Sequence, residues 1–240
     1  ESVGAADTIG DFAFYDCYLL SEFYNLYSFY LGDYAFANSG LSGCDVYCNN
    51  VGIGAFQNSQ VYRIRFMIED IHICQDMCYE CSKLSTFGFF YDVDALPSHM
   101  CYNCVSMSSF ISPENVSYIG YSAFEGCLKL TTFRIESQLS YIGPRAFANC
   151  KMLYNLSYYG ATQPKYAIDA FIDTRINLVT VTYLYQDITF CGFNVWTDQK
   201  VINENATILV PPSYTYTFIE LDEDKIVNNS EYIFDINDYS

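Results

Sequence analysis

Two C-x-x-C pairs in the first half of the chain have a spacing that could do chemistry. Nineteen residues, 82–100, lie between the pairs, and both histidines of the chain are close by. This spacing is typical of a zinc ribbon, in which four thiolates hold one Zn²⁺ ion in a tetrahedral site. The residues concerned are Cys78, Cys81, Cys101 and Cys104, with Cys74, His72 and His99 as neighbours.

An internal repeat gives these cysteines a second explanation. One unit reads Ile119-Gly120, Ala123-Phe124, Cys127, Leu130, Phe133, Ile135, and the same slots return 23 residues later, from Ile142-Gly143 to Tyr158. Cys81 and Cys104 occupy the slot of Cys127. Cys78 and Cys101 replace the aromatic residue, so the cysteine spacing equals the repeat period. Three states stay open for these side chains: buried free thiols, an inter-layer disulfide with Cys78 to Cys101 as the best pair, and a zinc site.

The repeat itself predicts a solenoid. A short strand with apolar residues at L-x-x-L-x-L cannot bury its inward side alone, but copies about 4.8 Å apart form a parallel ladder over one continuous core. We expect about eight repeats of 20–25 residues, each with a strand on one face, a loop or short helical turn on the opposite face, and glycine at a tight bend. The units begin at Ile9, Leu31, Val51, Ile73, Leu96, Ile119 and Ile142, and an eighth contains Ala170-Phe171.

The unit Ile119-Gly120-x-x-Ala123-Phe124-x-x-Cys127-x-x-Leu130 resembles the BspA-like leucine-rich repeat family of surface proteins, known from oral bacteria and trichomonad parasites. The resemblance runs from residue 9 to about residue 196, and Tyr158-Tyr159-Gly160 and Phe190-Cys191-Gly192 resemble the end of a trichomonad-type array. It implies a leucine-rich-repeat solenoid displayed at a cell surface, where it adheres to host cells, matrix or other microbes.

Residues 197–240 lose the repeat register. They contain nine acidic residues, the turn signal Pro211-Pro212 and a β-prone run at 214–221. We therefore expect two regions, a solenoid over residues 1–196 and an acidic C-terminal cap or tail with short strands over residues 197–240. A cap would cover the last layer of the solenoid, whereas a disordered tail would not.

Charge and motif content exclude several functions. The chain has 28 acidic and 11 basic residues and a net charge of -17, which argues against nucleic acid or an anionic membrane as the partner. It has no apolar run of 18 residues, so direct membrane insertion is not expected. No Ser/His/Asp order, phosphate-binding loop or paired catalytic carboxylates occur either. We therefore predict a non-enzymatic protein without a cofactor.

The outward side of the predicted strands is the candidate binding surface, for a protein or glycan partner. Side chains alternate along a strand, so residues that flank the second and third apolar slots point to solvent. Three of the five arginines fall there in an otherwise acidic chain, although an ordinary solvated strand surface is the alternative. The set is Arg63, Arg65, Arg134, Asn155, Ser157, Tyr159 and Tyr24, together with Glu22 and Asp45.

Four N-x-S/T sequons point to the secretory pathway. They lie at Asn115, Asn155, Asn205 and Asn228. We predict a secreted or cell-surface glycoprotein with one or more disulfides among its 11 cysteines. An intracellular scaffold whose cysteines stay reduced is the alternative.

Overall fold

The chain winds as a parallel β-solenoid in the computed structural model, which describes residues 3–21, 23–158, 165–167, 169–174, 176–181, 202–210 and 226–228. Among these residues no helix is long and apolar enough to cross a membrane. The described strands are β1 (Val3–Ile9), β2 (Asn25–Leu31), β3 (Gly43–Val51), β4 (Arg63–Phe66), β5 (His72–Ile73), β6 (Thr86–Phe89), β7 (Ala95–Leu96), β8 (Ser109–Ile111), β9 (Tyr118–Ile119), β10 (Thr132–Ile135), β11 (Tyr141–Ile142), β12 (Asn155–Tyr158), β13 (Lys165–Tyr166), β14 (Ile176–Val181), β15 (Ile202–Val210) and β16 (Ile226–Asn228).

The L-x-x-L-x-L segments form the predicted parallel ladder. One sheet runs in the order β1-β2-β3-β4-β6, and a second runs β8-β10-β12-β14-β15-β16. β6 and β8 are neighbours that belong to different sheets, so the ladder is interrupted between them. Burial alternates as predicted, for example in β4, where Ile64 and Phe66 are buried and Arg63 and Arg65 are half-exposed. We call the outward side of β2, β3, β4, β6, β8, β10 and β12 the strand face.

A third sheet lies where the sequence predicted only a bend. The two-residue strands β7, β9, β11 and β13 pair in parallel, and β5 pairs with the end of β3. A short strand forms separately only where the chain turns a corner after the longer strand of the same layer. Leu130 to Gly143 spans 13 residues and has this corner, whereas Leu41 to Gly52 spans 11 residues and β3 runs through without one.

The glycines that follow β9 and β11, Gly120 and Gly143, allow close stacking of the layers. A Cβ on Gly120 would lie 2.5 Å from the amide nitrogen of Ser98 and 2.7 Å from the carbonyl carbon of Pro97 in the preceding layer. Gly120 does not have a positive φ, so the predicted tight bend is not the reason for glycine. Gly10 holds the same slot in the first described layer, and a Cβ there would meet nothing within 4 Å.

On the opposite side of the coil the chain forms six-residue turns rather than helical turns. Their second and sixth residues have positive φ, a conformation that Asn, Asp and Gly adopt most easily. This backbone directs alternate N–H groups to the next layer, as in the bond from Phe124 N–H to Ala146 O at 2.8 Å. The sixth-position residues are Asp16, Asn38, Asn58, Glu80, Asn103, Gly126 and Asn149. We call the stacked turns the turn face.

The aromatic slot forms a column of rings, as the repeat predicts, with one gap. Phe124 and Phe147 stack at 5.6 Å between ring centroids, and Phe147 and Phe171 stack at 5.0 Å. A second run stacks through Phe14, Phe36 and Phe56 at 4.8 and 5.8 Å. Cys78 and Cys101 occupy the gap, and in those two layers the strands supply rings through Phe87 and Phe110, 5.9 Å apart.

The ladder continues into the region that was predicted to lose the register. β15 pairs in parallel with β14, and β16 pairs with β15. The β-prone run at 214–221 and the Pro211-Pro212 turn lie outside the described residues. The boundary at residue 196 therefore stays a prediction.

Candidate functional site

The predicted binding residues fall into two groups on the strand face. Asp45, Arg65 and Gly88 occupy neighbouring positions in the ladder, one per layer. Further along, Arg134 lies beside Ser157. The strand register therefore places Arg63, Arg65 and Asp45 in one group and Arg134, Asn155 and Ser157 in another. Tyr24 is exposed beside the first group, whereas Glu22 and Tyr159 lie outside the described residues.

The first group is an ion cluster centred on Asp45. Arg65 donates from Nε to Oδ1 at 2.9 Å and from Nη2 to Oδ2 at 2.6 Å, the bidentate geometry of a strong arginine–carboxylate pair. Arg63 Nη2 lies 3.7 Å from the same carboxylate. The hydrogen bonds to Asp45 raise the pKa of Arg65. Two arginines share one carboxylate, so the cluster keeps one positive charge.

The second group is less exposed than its sequence position suggested. Arg134 pairs with Glu136 on the same face. Ser157 is 8% exposed, and its Oγ lies 3.4 Å from Asn155 Oδ1. The prediction that Ser157 projects into solvent is therefore wrong, because the end of β12 is covered on both sides, with Leu156, Ser157 and Tyr158 all buried.

Exposed apolar side chains surround the two groups. Tyr27 and Tyr47 stack at 4.5 Å between centroids beside Asp45. Phe90 and Ile111 are 62% and 61% exposed between the two groups. Large rings with little conformational entropy are common at binding surfaces. We call Tyr47, Arg63, Arg65, Phe90, Ile111 and Arg134 the strand-face patch.

The cysteines have a structural role that the sequence did not reveal. Cys104, Cys127 and Cys150 donate from Sγ to the carbonyl of the aromatic-slot residue of the preceding layer, at 3.2, 3.2 and 3.1 Å. Cys81 donates in the same way to Phe56 O at 2.9 Å. Serine occupies the same slot at Ser59, and its Oγ lies 3.6 Å from Cys81 Sγ.

The ten described cysteines are free thiols. Cys78 and Cys101, the best disulfide candidates, lie unbonded in adjacent layers, and burial raises the pKa of both thiols. Among the described residues no three His, Cys, Asp or Glu side chains are grouped to hold a metal ion. Cys78 and Cys101, like Cys81 and Cys104, occupy equivalent slots of adjacent layers, so the repeat accounts for their C-x-x-C spacing.

Alkylation of the native protein is expected to modify Cys17, which is exposed, and to leave the buried thiols of Cys78, Cys81, Cys101 and Cys104 intact. Thiolates react, and buried apolar surroundings keep a thiol protonated and out of reach. Iodoacetamide treatment followed by peptide mass mapping measures this. Unfolding in urea without a reductant should then expose all four thiols, with or without a chelator. A Cys78–Cys101 pair that alkylates only after reduction would contradict the expectation, and a zinc site would show as protection that the chelator removes.

A second polar cluster, on the turn face, was missed by the sequence reasoning. Glu125 is 7% exposed and accepts hydrogen bonds from Arg145 Nε at 3.0 Å and from Ser122 Oγ at 2.6 Å. In the neighbouring layers His99 Nδ1 lies 2.9 Å from Asp76 Oδ1. The sequence gives little indication of these two ion pairs. The partners are 20–23 positions apart, and the alternation that predicts which strand residues face outward does not extend into a turn.

The Glu125–Arg145 pair makes stability depend on pH. Burial raises the pKa of Glu125, but the hydrogen bonds from Arg145 and Ser122 outweigh it and hold this pKa below its usual value. A lowered folded-state pKa stabilises above the unfolded glutamate value of about 4.3, and the contribution is lost as pH falls through the folded value. Glu125→Gln should therefore lower the free energy of unfolding at pH 7 by about 1–2 kcal/mol.

Urea denaturation of Glu125→Gln and the wild type at pH 7 and below pH 4 measures this difference. The gap between the two proteins should narrow in acid. Glu114→Gln, at an exposed position, is the control and should match the wild type at both pH values. A gap of equal size at both pH values would show that the charge of Glu125 is not what stabilises the turn face.

The sequons occupy different environments. Asn115 is exposed, and its Nδ2 donates to Asp92 Oδ2 at 2.7 Å. Asn155 is half-buried on the strand face. Asn205 lies in β15 and Asn228 in β16.

These features define a class: a leucine-rich-repeat solenoid with a parallel ladder on one face and stacked turns on the other. A family model for the BspA type leucine rich repeat region (6 copies) matches residues 7–128 and again residues 71–200. The chain belongs to this family, which confirms the resemblance seen in the repeat. No curated protein matches the chain.

Two solved structures are similar to the chain. A leucine-rich repeat protein from Bacteroides ovatus superposes with a TM-score of 0.63 at 20% identity, over 84% of this chain and 51% of that protein. The chain therefore spans about half the length of that protein, and the likeness supports the fold alone. A leucine rich cell surface protein from Faecalibacterium prausnitzii aligns over 88% of this chain and 78% of that one, at 14% identity and a TM-score of 0.40.

Proposed function

We propose that the chain is a non-enzymatic recognition protein, secreted or displayed at a cell surface, that binds a protein or glycan partner through its strand face. The observation that carries the proposal is the strand-face patch. It combines the exposed side chains of Phe90 and Ile111 with three arginines, which pair with Asp45 and Glu136, in a chain of net charge -17. Exposed apolar groups beside partly exposed ion pairs are typical of a binding surface. Family membership supports the same role.

A charge-matched pair of variants tests this function. Arg63, Arg65 and Arg134 are replaced together by alanine in one variant. In the other, the exposed Lys83, Lys129 and Lys151, which follow the turn segments, are replaced by alanine, so both variants lose three positive charges. Each is compared with the wild type on an array of purified matrix proteins and glycans. We expect the arginine variant to lose at least ten-fold in binding and the lysine variant to bind as the wild type does. Equal loss in both would indicate a general charge effect and contradict the proposal.

The surface location needs a separate test, because the ten free described cysteines also fit a reducing compartment. Protease treatment of intact source cells should digest a displayed protein and spare an intracellular scaffold. Endoglycosidase treatment of the protein purified from those cells should lower its mass if Asn115 carries a glycan, since Asn115 is exposed. A glycan on Asn155 would lie on the strand face and obstruct it.

A further inference from the structure

Gly88 leaves a gap in the outward surface of the strand face. A Cβ at this position would meet no heavy atom within 4 Å, and its φ is not positive. Stacking does not require glycine here, in contrast to Gly120, and glycine weakens a strand interior. The ladder is also interrupted directly after this strand, between β6 and β8. A position that the fold could fill with any side chain is therefore empty.

Three residues flank this gap: Arg65, Ile111 and Phe90. Arg65 pairs with Gly88 across the ladder, but its guanidinium is held by Asp45 on the far side. On the other side, the rings of Phe87 and Phe110 lie 5.9 Å apart, which places the next residues, Gly88 and Ile111, in corresponding positions of adjacent layers. The exposed ring of Phe90 lies two residues along the chain. We call this gap the Gly88 notch.

The chemistry of the notch selects one kind of occupant. The exposed side chains of Ile111 and Phe90, which flank the gap along the ladder and along the chain, are apolar and cannot hydrogen-bond sugar hydroxyls. Arg65 directs Nε and Nη2 to Asp45, which lies on the side of Arg65 away from Gly88. The flanking ion pairs nevertheless keep an excess positive charge, which attracts a carboxylate at the rim.

We propose that the Gly88 notch receives one aromatic or branched aliphatic side chain from an acidic segment of a protein partner. The notch is a subsite of the strand face, so this inference rests on the proposed function. An apolar anchor in a pocket that charged groups surround is how a few residues dominate an interface.

The test fills the notch without disturbing the fold. Gly88→Val adds a strand-favouring side chain in open space, so its thermal unfolding temperature should equal or exceed that of the wild type. Thr86→Val is the matched control, because Thr86 is exposed on the same side of β6. Ile111→Ala removes an exposed apolar side chain that flanks the notch. It provides a second test if Gly88→Val fails to fold.

The probe is a phage-displayed library of random 12-residue peptides selected on the immobilised wild-type chain. We expect enriched peptides to share an aromatic or branched aliphatic residue near acidic residues. Binding of these peptides should fall at least ten-fold on Gly88→Val, fall on Ile111→Ala, and persist on Thr86→Val. The proposal for the notch is contradicted if the selected peptides share no such consensus. It is also contradicted if they bind Gly88→Val as tightly as the wild type.

The two proposals fail in distinguishable ways. Peptides that tolerate Gly88→Val but not the triple arginine variant overturn the notch and leave the strand face as the binding surface. Peptides that tolerate both variants overturn both proposals.

Discussion

Phe124→Ala is expected to lower the free energy of unfolding by about 4 kcal/mol. The ring is fully buried and contacts rings in its own and both neighbouring layers, with centroid distances of 4.9 Å to Phe133, 5.6 Å to Phe147 and 5.1 Å to Phe110. Because occupied layers lie on both sides, the backbone cannot collapse into the space. The variant therefore loses the transfer free energy of the ring and also keeps a cavity.

Phe14→Ala is the matched control in the same aromatic column. Phe14 is half-buried, and among described residues it contacts rings on the Phe23 and Phe36 side of the column. Its loss should cost about half as much, because part of the ring is already in water. Urea denaturation followed by circular dichroism measures both values. Equal losses at Phe14 and Phe124 would mean that the column does not stabilise the solenoid layer by layer.

Gly120→Ala is the second large effect, with an expected loss of about 3 kcal/mol or more. The added Cβ would lie 2.5 Å from Ser98 N and 2.7 Å from Pro97 C. Both atoms belong to backbone, which cannot rotate away as a side chain can, so the two layers must separate. Separation lengthens the interlayer bond from Gly120 N to Leu96 O, now 2.8 Å.

Gly10→Ala provides the control, since Gly10 holds the same slot and a Cβ there meets nothing within 4 Å. Its stability should stay within about 0.5 kcal/mol of the wild type. Comparison of the two thermal unfolding temperatures checks the argument. A large loss in Gly10→Ala would indicate that glycine is needed for local conformation in this slot, as the sequence first suggested.

The solenoid could be predicted from sequence because its cause is periodic. A strand that buries Ile64 and Phe66 exposes Arg63 and Arg65 by alternation alone, so the outward residues of β4 could be predicted, whereas Ser157 of β12 could not. The repeat also explained the cysteine spacing, and the predicted fold class is confirmed. Because the repeat slots are so regular, the fold class could be predicted from a single sequence.

The partners of the exposed residues could not be predicted in the same way. Asp45 precedes Arg65 by 20 residues, and the two meet only because β3 and β4 align in a particular register. The Glu125–Arg145 pair depends on left-handed turn residues that no apolar pattern marks.

The sequence by itself determined that layers stack and which residues face inward, because burial of apolar side chains depends on residue type and period. Tertiary structure alone decided which polar groups meet, why Gly120 must be glycine and where the strand face is open at Gly88. The physical reason is the displacement that each kind of interaction tolerates. Hydrophobic burial tolerates small shifts between layers, whereas a hydrogen bond, an ion pair or a backbone contact changes within about 1 Å, which only the three-dimensional register defines.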